Sequence, residues 1–358
     1  MSFPPSVGSA LPIVIGAFIV AAAIALLVTP VIRRLAGSLR IIDHPDQRKT
    51  HESPLPRGGG LAVVVAFLVV GGGLVVFGSI FPGMPGRRDI EPINLVGLFG
   101  GAALAALIGA IDDRFDLRAR WQLSGQIGLA AFAVLTGISV AYIGNPFGTD
   151  NLQFAAPVGI AFTVVWIVGM INSLNFIDGL DGLSTGIALI AAVTLGLLSL
   201  SDQVNQPLVA VLCFALAGGL LGFLRWNFHP AVIFQGTAGV MFLGYVLAVL
   251  AILGSAKVVV ALLVLAVPII DTFWVIVRRV SSGRSPFSPD RGHIHHRLLD
   301  LGLSHRSTVL LIYAVCATLG LMSLFVSSAT GVFAFGIALI GFGVVAFALR
   351  REPGEAAP

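Results

Sequence analysis

Charge is scarce in this 358-residue sequence: Asp, Glu, Lys and Arg make up 11% of it, and 57% is hydrophobic. An ordinary soluble domain is about one-quarter charged and about half apolar, so this composition makes the lipid bilayer the solvent to reason in. Cysteine is nearly absent. The only two, Cys213 and Cys316, fall inside apolar runs, where a thiol behaves as a small hydrophobe; neither a disulfide framework nor a zinc site is expected. No Lys or Arg precedes the first apolar run, and Arg33-Arg34 follow it. A cleavable signal peptide has the reverse arrangement, so the run reads as a retained span entering from outside. Short segments of alternating polarity, the mark of a membrane barrel, are also missing. Stretches such as 61–76 are apolar on every face, which leaves helices as the spanning structure. No interleaving of basic and aromatic residues supports a nucleic-acid partner, and neither an internal repeat nor a soluble domain is visible.

What is present is a series of apolar runs, several near the roughly 20 residues that cross about 30 Å of hydrocarbon. Eleven candidate spans follow, at about 11–32, 60–81, 95–111, 122–143, 155–172, 183–200, 207–224, 236–254, 256–277, 309–328 and 331–349. The expected architecture is an all-α polytopic membrane protein forming one domain over 1–358. The 43 glycines suit membrane helices, where small residues let backbones approach closely. With the first loop placed inside, eighteen of the 21 Lys and Arg fall on the cytoplasmic side, and only Arg87, Arg88 and Lys257 fall outside. The positive-inside rule then puts the N-terminus outside and the C-terminus in the cytoplasm, with 351–358 as a short cytoplasmic tail. The net charge of +4 reflects this bias. All seven histidines share the inner face, as do all acidic residues except Asp89, Glu91, Asp150 and Asp202. Topology alone does not demand that sorting of His, so the inner face is where an active site is expected.

Four segments carry candidate chemistry. Asp112-Asp113 sit at the inner end of the third span, where adjacent carboxylates repel and are hard to desolvate; a pair handling Mg²⁺ or phosphate is the functional reading. In Asn172-Ser-Leu-Asn175-Phe-Ile-Asp178-Gly-Leu-Asp181-Gly, helical spacing puts Asn172, Asn175 and Asp178 on one face. Oxygen donors of that kind suit Mg²⁺ bridging to substrate phosphates, and Gly179 and Gly182 would end the helix. The longest hydrophilic loop holds Asp290-Arg291-Gly-His293-Ile-His295-His296-Arg297; without cysteines, its His and Arg favour phosphate over zinc. The first loop, with Lys49, Thr50 and the Pro56-Arg57-Gly58-Gly59-Gly60 turn, reads either as an anionic-lipid patch or as a set of backbone N–H groups for a phosphate.

Taken in order with Asn227-x-x-Pro230-Ala231-x-Ile233-Phe234 and Pro268-Ile-Ile-Asp271-Thr272, these segments resemble the polyprenyl-phosphate N-acetylhexosamine-1-phosphate transferases, most strongly over 40–310. The His-Ile-His-His run resembles the branch that uses UDP-N-acetylglucosamine. The resemblance implies a multi-pass enzyme of the bacterial cytoplasmic (inner) membrane with a cytoplasmic, Mg²⁺-dependent site. Its partners would be undecaprenyl phosphate, a UDP-N-acetylhexosamine, membrane lipid and, as an open point, a second copy of the chain. It would transfer N-acetylhexosamine 1-phosphate to the lipid phosphate, release UMP and so initiate a lipid-linked cell-envelope glycan such as lipopolysaccharide or teichoic acid. Asp112 and Asp113 would be catalytic, with Asp112 the base. Asn175 and Asp178 would hold the metal. Lys49, Thr50, Asp181, Arg291, His293, His295 and His296 would bind substrate.

Two positions depart from the family pattern. Thr237, in Gly236-Thr237-Ala238-Gly239-Val240, stands where the family places a metal-binding Asp, and Gln122 stands where it places a Lys. One anion and one cation are lost together, which leaves the site's net charge unchanged if both face it. Asp181 or a bound water would then replace the missing ligand. A catalytically silent relative that still binds UDP-sugar or lipid is the alternative, and a transporter is a second. The transporter predicts charges in mid-span and on both faces, where few occur.

Overall fold

The computed structural model describes residues 6–39, 41–43, 54–80, 90–144, 151–202, 204–254, 258–285, 292–325, 333–337 and 341. Helices dominate them. In chain order they are α1 (Ser6–Ser38), α2 (Leu61–Phe67), α3 (Gly73–Ile80), α4 (Pro92–Phe115), α5 (Ala119–Leu135), α6 (Ala156–Ile177), α7 (Leu183–Ser199), α8 (Pro207–Asn227), α9 (Gly236–Leu253), α10 (Val258–Val264), α11 (Ala266–Ser281), α12 (Ile294–Asp300) and α13 (His305–Ser323). A π-helical turn over Leu68–Gly72 joins α2 to α3. Two short antiparallel hairpins, β1 (Ile42–Asp43) with β2 (Leu55–Pro56) and β3 (Tyr142–Gly144) with β4 (Asn151–Gln153), decorate the loops. Proline opens α4 and α8, where its missing N–H would have had no partner anyway.

Six described helices are long and apolar enough to cross a membrane: Ala10–Ser38, Pro92–Phe115, Ala156–Ile177, Pro207–Asn227, Gly236–Leu253 and His305–Ser323. Val258–Val264 with Ala266–Ser281, bent by 80°, adds a seventh if the pair counts as one span. Six of the expected spans thus meet full-length helices, and the expected span 256–277 is broken at Leu265. Leu61–Phe77 and Leu183–Ser199 are apolar but shorter, and α5 ends at Leu135, well before the expected 143. The last expected span and the 351–358 tail lie largely or wholly outside the described residues.

Packing follows from which helices are apolar all round. In α9 every residue from Ala238 to Ile252 is buried, and α4 and α6 pack against it, while α8 packs between α1 and α7. The outer helices expose large apolar side chains, among them Leu27, Leu107, Leu135 and Val165. In water that surface would aggregate; against lipid tails it is the expected boundary. Cys213 and Cys316 are both buried and unpaired.

One close backbone contact at the core bears on the site. A Cβ on Gly109 of α4 would lie 2.4 Å from Ala238 Cα and 2.5 Å from the Thr237 carbonyl oxygen, backbone atoms that have no rotamer to change. Gly109→Ala is expected to push α9 away from α4 and destabilise the fold by about 1–3 kcal/mol, seen as a lower thermal midpoint in detergent. An unchanged midpoint would mean that the two helices slide apart freely.

Candidate functional site

The C-terminal ends of α4, α6 and α8 meet the starts of α7, α9, α12 and α13, and nearly all the candidate residues converge there. Asp112 and Asp113 lie in the last turn of α4, which runs on to Phe115 before Asp116 adopts a left-handed conformation (φ 46°). Although adjacent and both nearly buried (6% and 8% exposed), they serve different neighbours. Asp112 Oδ1 accepts from Leu117 N–H at 2.9 Å and from the Gln122 side-chain amide at 2.8 Å. Among the described residues nothing donates to its other oxygen. Asp113 is spent on α9: Oδ1 accepts from Thr237 N–H at 2.8 Å and Oδ2 from Ala238 N–H at 3.0 Å. A carboxylate there satisfies two of the unpaired amides of a helix start and meets its positive dipole end. Gly236, at φ +74°, makes the turn into α9; a Cβ there would come 2.6 Å from Asp113 Oδ2. Gln122 therefore does reach the acidic pair, and Thr237 touches it through its backbone.

The Asn-x-x-Asn-x-x-Asp segment forms the end of α6, with Asp178 as its C-cap, and Gly182 at φ +77° opens α7. Asn172 donates to Gln126 Oε1 at 2.6 Å and to the Val168 carbonyl at 2.8 Å. Asp178 accepts from the Ser184 hydroxyl. The Gln235 side-chain amide lies 2.8 Å from Ser184 Oγ and 2.6 Å from Thr185 Oγ1, and Thr185 donates to Asn227 Oδ1 at 2.7 Å. Enclosure by protein pushes the Asp178 carboxyl up to about 7; the Ser184 bond opposes this, nearby Asp113 and Asp181 add to it, and Arg57 opposes it. Three carboxylates thus compete in one neighbourhood. Arg57 joins the same region by pairing with Asp43 and lying 3.4 Å from Asp116 Oδ1.

Asp181 turns toward another group. Its Oδ2 accepts from His229 Nδ1–H at 2.7 Å and Ala231 N–H at 3.1 Å, and its own N–H donates to His305 Nε2 at 3.0 Å. The two imidazoles stack with centroids 4.0 Å apart. The carboxylate and the two ring nitrogens lie within 4.8 Å of one another, a spacing that suits a cation.

A cavity of about 1080 Å³ opens beside this cluster, between α5, α6, α11 and α12. One end is apolar, with Ile127, Phe162, Val165, Trp166 and Phe273; the other presents Asn175, Asp178, Arg279, His293, His295 and His296. His293 is held by Asp271, 1% exposed, at 2.7 Å. His295 is buried, and neither ring nitrogen has a hydrogen-bond partner. Burial, then the neighbouring histidines, lowers its pKa well below the usual value, so it stands as a neutral ring over Gly179, where a Cβ would meet its Nε2 at 2.3 Å.

Of the sequence-derived candidates, Asn175, Asp178, His293, His295 and His296 line the cavity. Asp112 and Asp113 stand beside it through Gln122, and Asp181 faces the His229–His305 pair. Lys49, Thr50 and Arg291 lie outside the described residues. Sequence reasoning assigned no role to Asp271, Gln126, Arg279 or Gln235, nor to His229 and His305. A signal existed for Asp271: a lone carboxylate inside an apolar run is a functional candidate by default.

Residues 95–255 match the model of glycosyl transferase family 4. The chain is 35% identical over 323 residues, covering 88% of itself and 86% of the relative, to a probable undecaprenyl-phosphate N-acetylglucosaminyl 1-phosphate transferase of Bacillus subtilis (strain 168). It is 36% identical over 319 residues, 82% of itself and 77% of the relative, to a decaprenyl-phosphate N-acetylglucosaminephosphotransferase of Mycobacterium tuberculosis. An Escherichia coli (strain K12) undecaprenyl-phosphate alpha-N-acetylglucosaminyl 1-phosphate transferase is 30% identical over 301 residues, 80% of the chain and 77% of the relative.

Proposed function

The chain belongs to glycosyl transferase family 4 and is a sugar-phosphate transferase, and from that premise we propose that it moves N-acetylglucosamine 1-phosphate from UDP-N-acetylglucosamine to undecaprenyl phosphate, releasing UMP. The observation that carries this reading is the two-ended cavity. A polyprenyl phosphate is apolar along its chain and anionic at its head, and the lining changes in the same order, from Phe162 and Trp166 to Gln122, Asn175 and Arg279. In this reading the protein sits as one domain in the bacterial cytoplasmic membrane, eleven spans with the N-terminus outside, and the carboxylate cluster faces the cytoplasm.

In the reaction a lipid-phosphate oxygen attacks the sugar-bearing phosphorus of the UDP-sugar, a new P–O bond forms, and the P–O bond to UMP breaks. The protein's task is alignment and charge neutralisation rather than covalent catalysis. Asp112 takes the last proton from the lipid phosphate through the oxygen left without a donor. Asp113 holds α9 against the end of α4 and so fixes where Asp112 stands. Arg279 and the histidines at the polar end meet the phosphates. Asn175 and Asp178 offer the hard oxygens that suit Mg²⁺, and the crowding of Asp178 with Asp113 and Asp181 fits a site that expects a cation. When bound, Mg²⁺ would neutralise the diphosphate.

The decisive assay combines purified protein, undecaprenyl phosphate, Mg²⁺ and radiolabelled UDP-N-acetylglucosamine, with detection of lipid-linked sugar and UMP. No product across several UDP-sugars would sink the proposal. The metal reading has its own test. Folding raises the Asp178 carboxyl from an ordinary value near 4 to about 7. Its burial in ionised form is therefore a destabilisation that is absent below the lower value and complete above the higher one. The metal-free protein should lose thermal stability as pH rises from 5 to 8, and Mg²⁺ should restore it at pH 8 but not at pH 5. A flat response to Mg²⁺ at both values would remove Asp178 from the metal site.

A further inference from the structure

Asp271 is delivered by α11, just past the 80° bend from α10, into a place where a carboxylate needs strong partners. A charge this deeply buried persists only when it is paired and hydrogen-bonded. Its two oxygens are divided: Oδ2 lies 2.7 Å from His293 Nδ1, and Oδ1 accepts from Ile294 N–H at 2.9 Å. One carboxylate thus grips both the side chain of His293 and the next residue's backbone, tying the histidine segment to α11. A carboxylate only accepts, so the proton of this contact sits on His293 Nδ1. The opposite edge of the ring, with Nε2, is left for the cavity that His293 lines. Neighbouring rings fix the tilt: Phe176 meets His293 edge-on at 5.9 Å, and His295 stacks on it at 5.6 Å. Arg279, about two helical turns beyond Asp271, holds its guanidinium 5.6 Å from the centroid of the Phe176 ring.

We infer that Asp271 is a positioning residue for His293: it touches no substrate, but sets the imidazole so that Nε2, carrying a proton of its own when the anion is bound, donates to a phosphate oxygen of the nucleoside diphosphate sugar while the Nδ1 proton stays on Asp271. The inference rests on the transferase reading. His295 offers the contrast within the same turn, a ring with no carboxylate behind it and no partner on either nitrogen. Position in the fold, and not membership of the His-x-His-His run, separates the one from the other.

The test is steady-state kinetics on the full-length protein in detergent with three variants: Asp271→Asn, His293→Gln and the double. Asn keeps an oxygen for Ile294 N–H and puts an amide NH₂ against His293 Nδ1, which removes the acceptor and leaves the backbone tie. Losing one charge-assisted contact of this kind is expected to raise the KM for UDP-N-acetylglucosamine on the order of tenfold, with the KM for the lipid unmoved. His293→Gln should do the same, and the double variant should be no worse than the worse single, as members of one unit behave. A merely structural Asp271 would lower the amount of folded protein without splitting the two KM values. The inference falls if Asp271→Asn leaves the UDP-sugar KM at its wild-type value, or if the two effects multiply. Should Asp271→Asn not fold, His293→Gln carries the decision, since a wild-type KM there removes the ring that Asp271 is said to position. An inactive wild-type protein would instead overturn the transferase reading, an outcome visible before any variant is made.

Discussion

Asp112→Asn is expected to leave a folded protein whose transfer rate is lowered by about a thousandfold, within the range that a positioned proton acceptor contributes. The substitution is nearly isosteric, and the amide oxygen can still accept from Leu117 N–H and Gln122, the two bonds that hold Asp112 now. What disappears is the negative charge and the second oxygen, the one that nothing among the described residues uses. Thermal stability and binding of UDP-sugar should stay near wild type, so the loss should appear in kcat. Normal turnover would refute the assignment of Asp112 as base.

Asp113→Asn, one residue along, should behave differently. Both oxygens of Asp113 accept backbone N–H groups at the start of α9, and an amide must turn its NH₂ toward one of them. A buried N–H then loses its acceptor and faces another donor, a defect worth about 1–3 kcal/mol. The expected result is a lower thermal midpoint together with nearly complete loss of transfer, because α9 can no longer hold the end of α4. The measurement is a melting curve in detergent run beside the radiolabel assay. A variant with wild-type stability but no activity would move Asp113 from support to chemistry.

Neither difference between these neighbours is legible in the sequence. The pair itself is, because two carboxylates at the end of an apolar run stand out by cost alone. That Asp113 faces Thr237 requires bringing together residues on separate helices, and no local pattern encodes it. The same holds for His293 and Asp271. The helical spacing of Asn172, Asn175 and Asp178 is readable, and α6 carries the two asparagines with Asp178 as its C-cap, yet Asn172 donates to Gln126 on a neighbouring helix that sequence periodicity could not supply. Span boundaries were less legible than span existence. The run 256–277 is apolar on both sides of Leu265, so hydropathy passes smoothly over a bend that the chain makes with only Pro268 as a nearby cue. Likewise, α4 extends past Asp113 because Asp116 N–H still bonds the Asp112 carbonyl; the helix ends where Asp116 turns left-handed and the next amide, Leu117 N–H, goes to the Asp112 side chain, rather than where apolarity ends.

The complete enclosure of α9 divides the molecule mechanically. A helix packed on every side, with its first amides committed to Asp113 and its backbone seated against Gly109, has no room for independent displacement in a close-packed interior. The reacting end of the molecule therefore behaves as an anvil. Compliance is left to the periphery, where α11 exposes Val277 and Val280 and has a break in place of a continuous helix behind it. Under the proposed function, the cavity that would take an isoprenoid chain then has one yielding wall, α11, and one rigid wall, α6, which packs on α9.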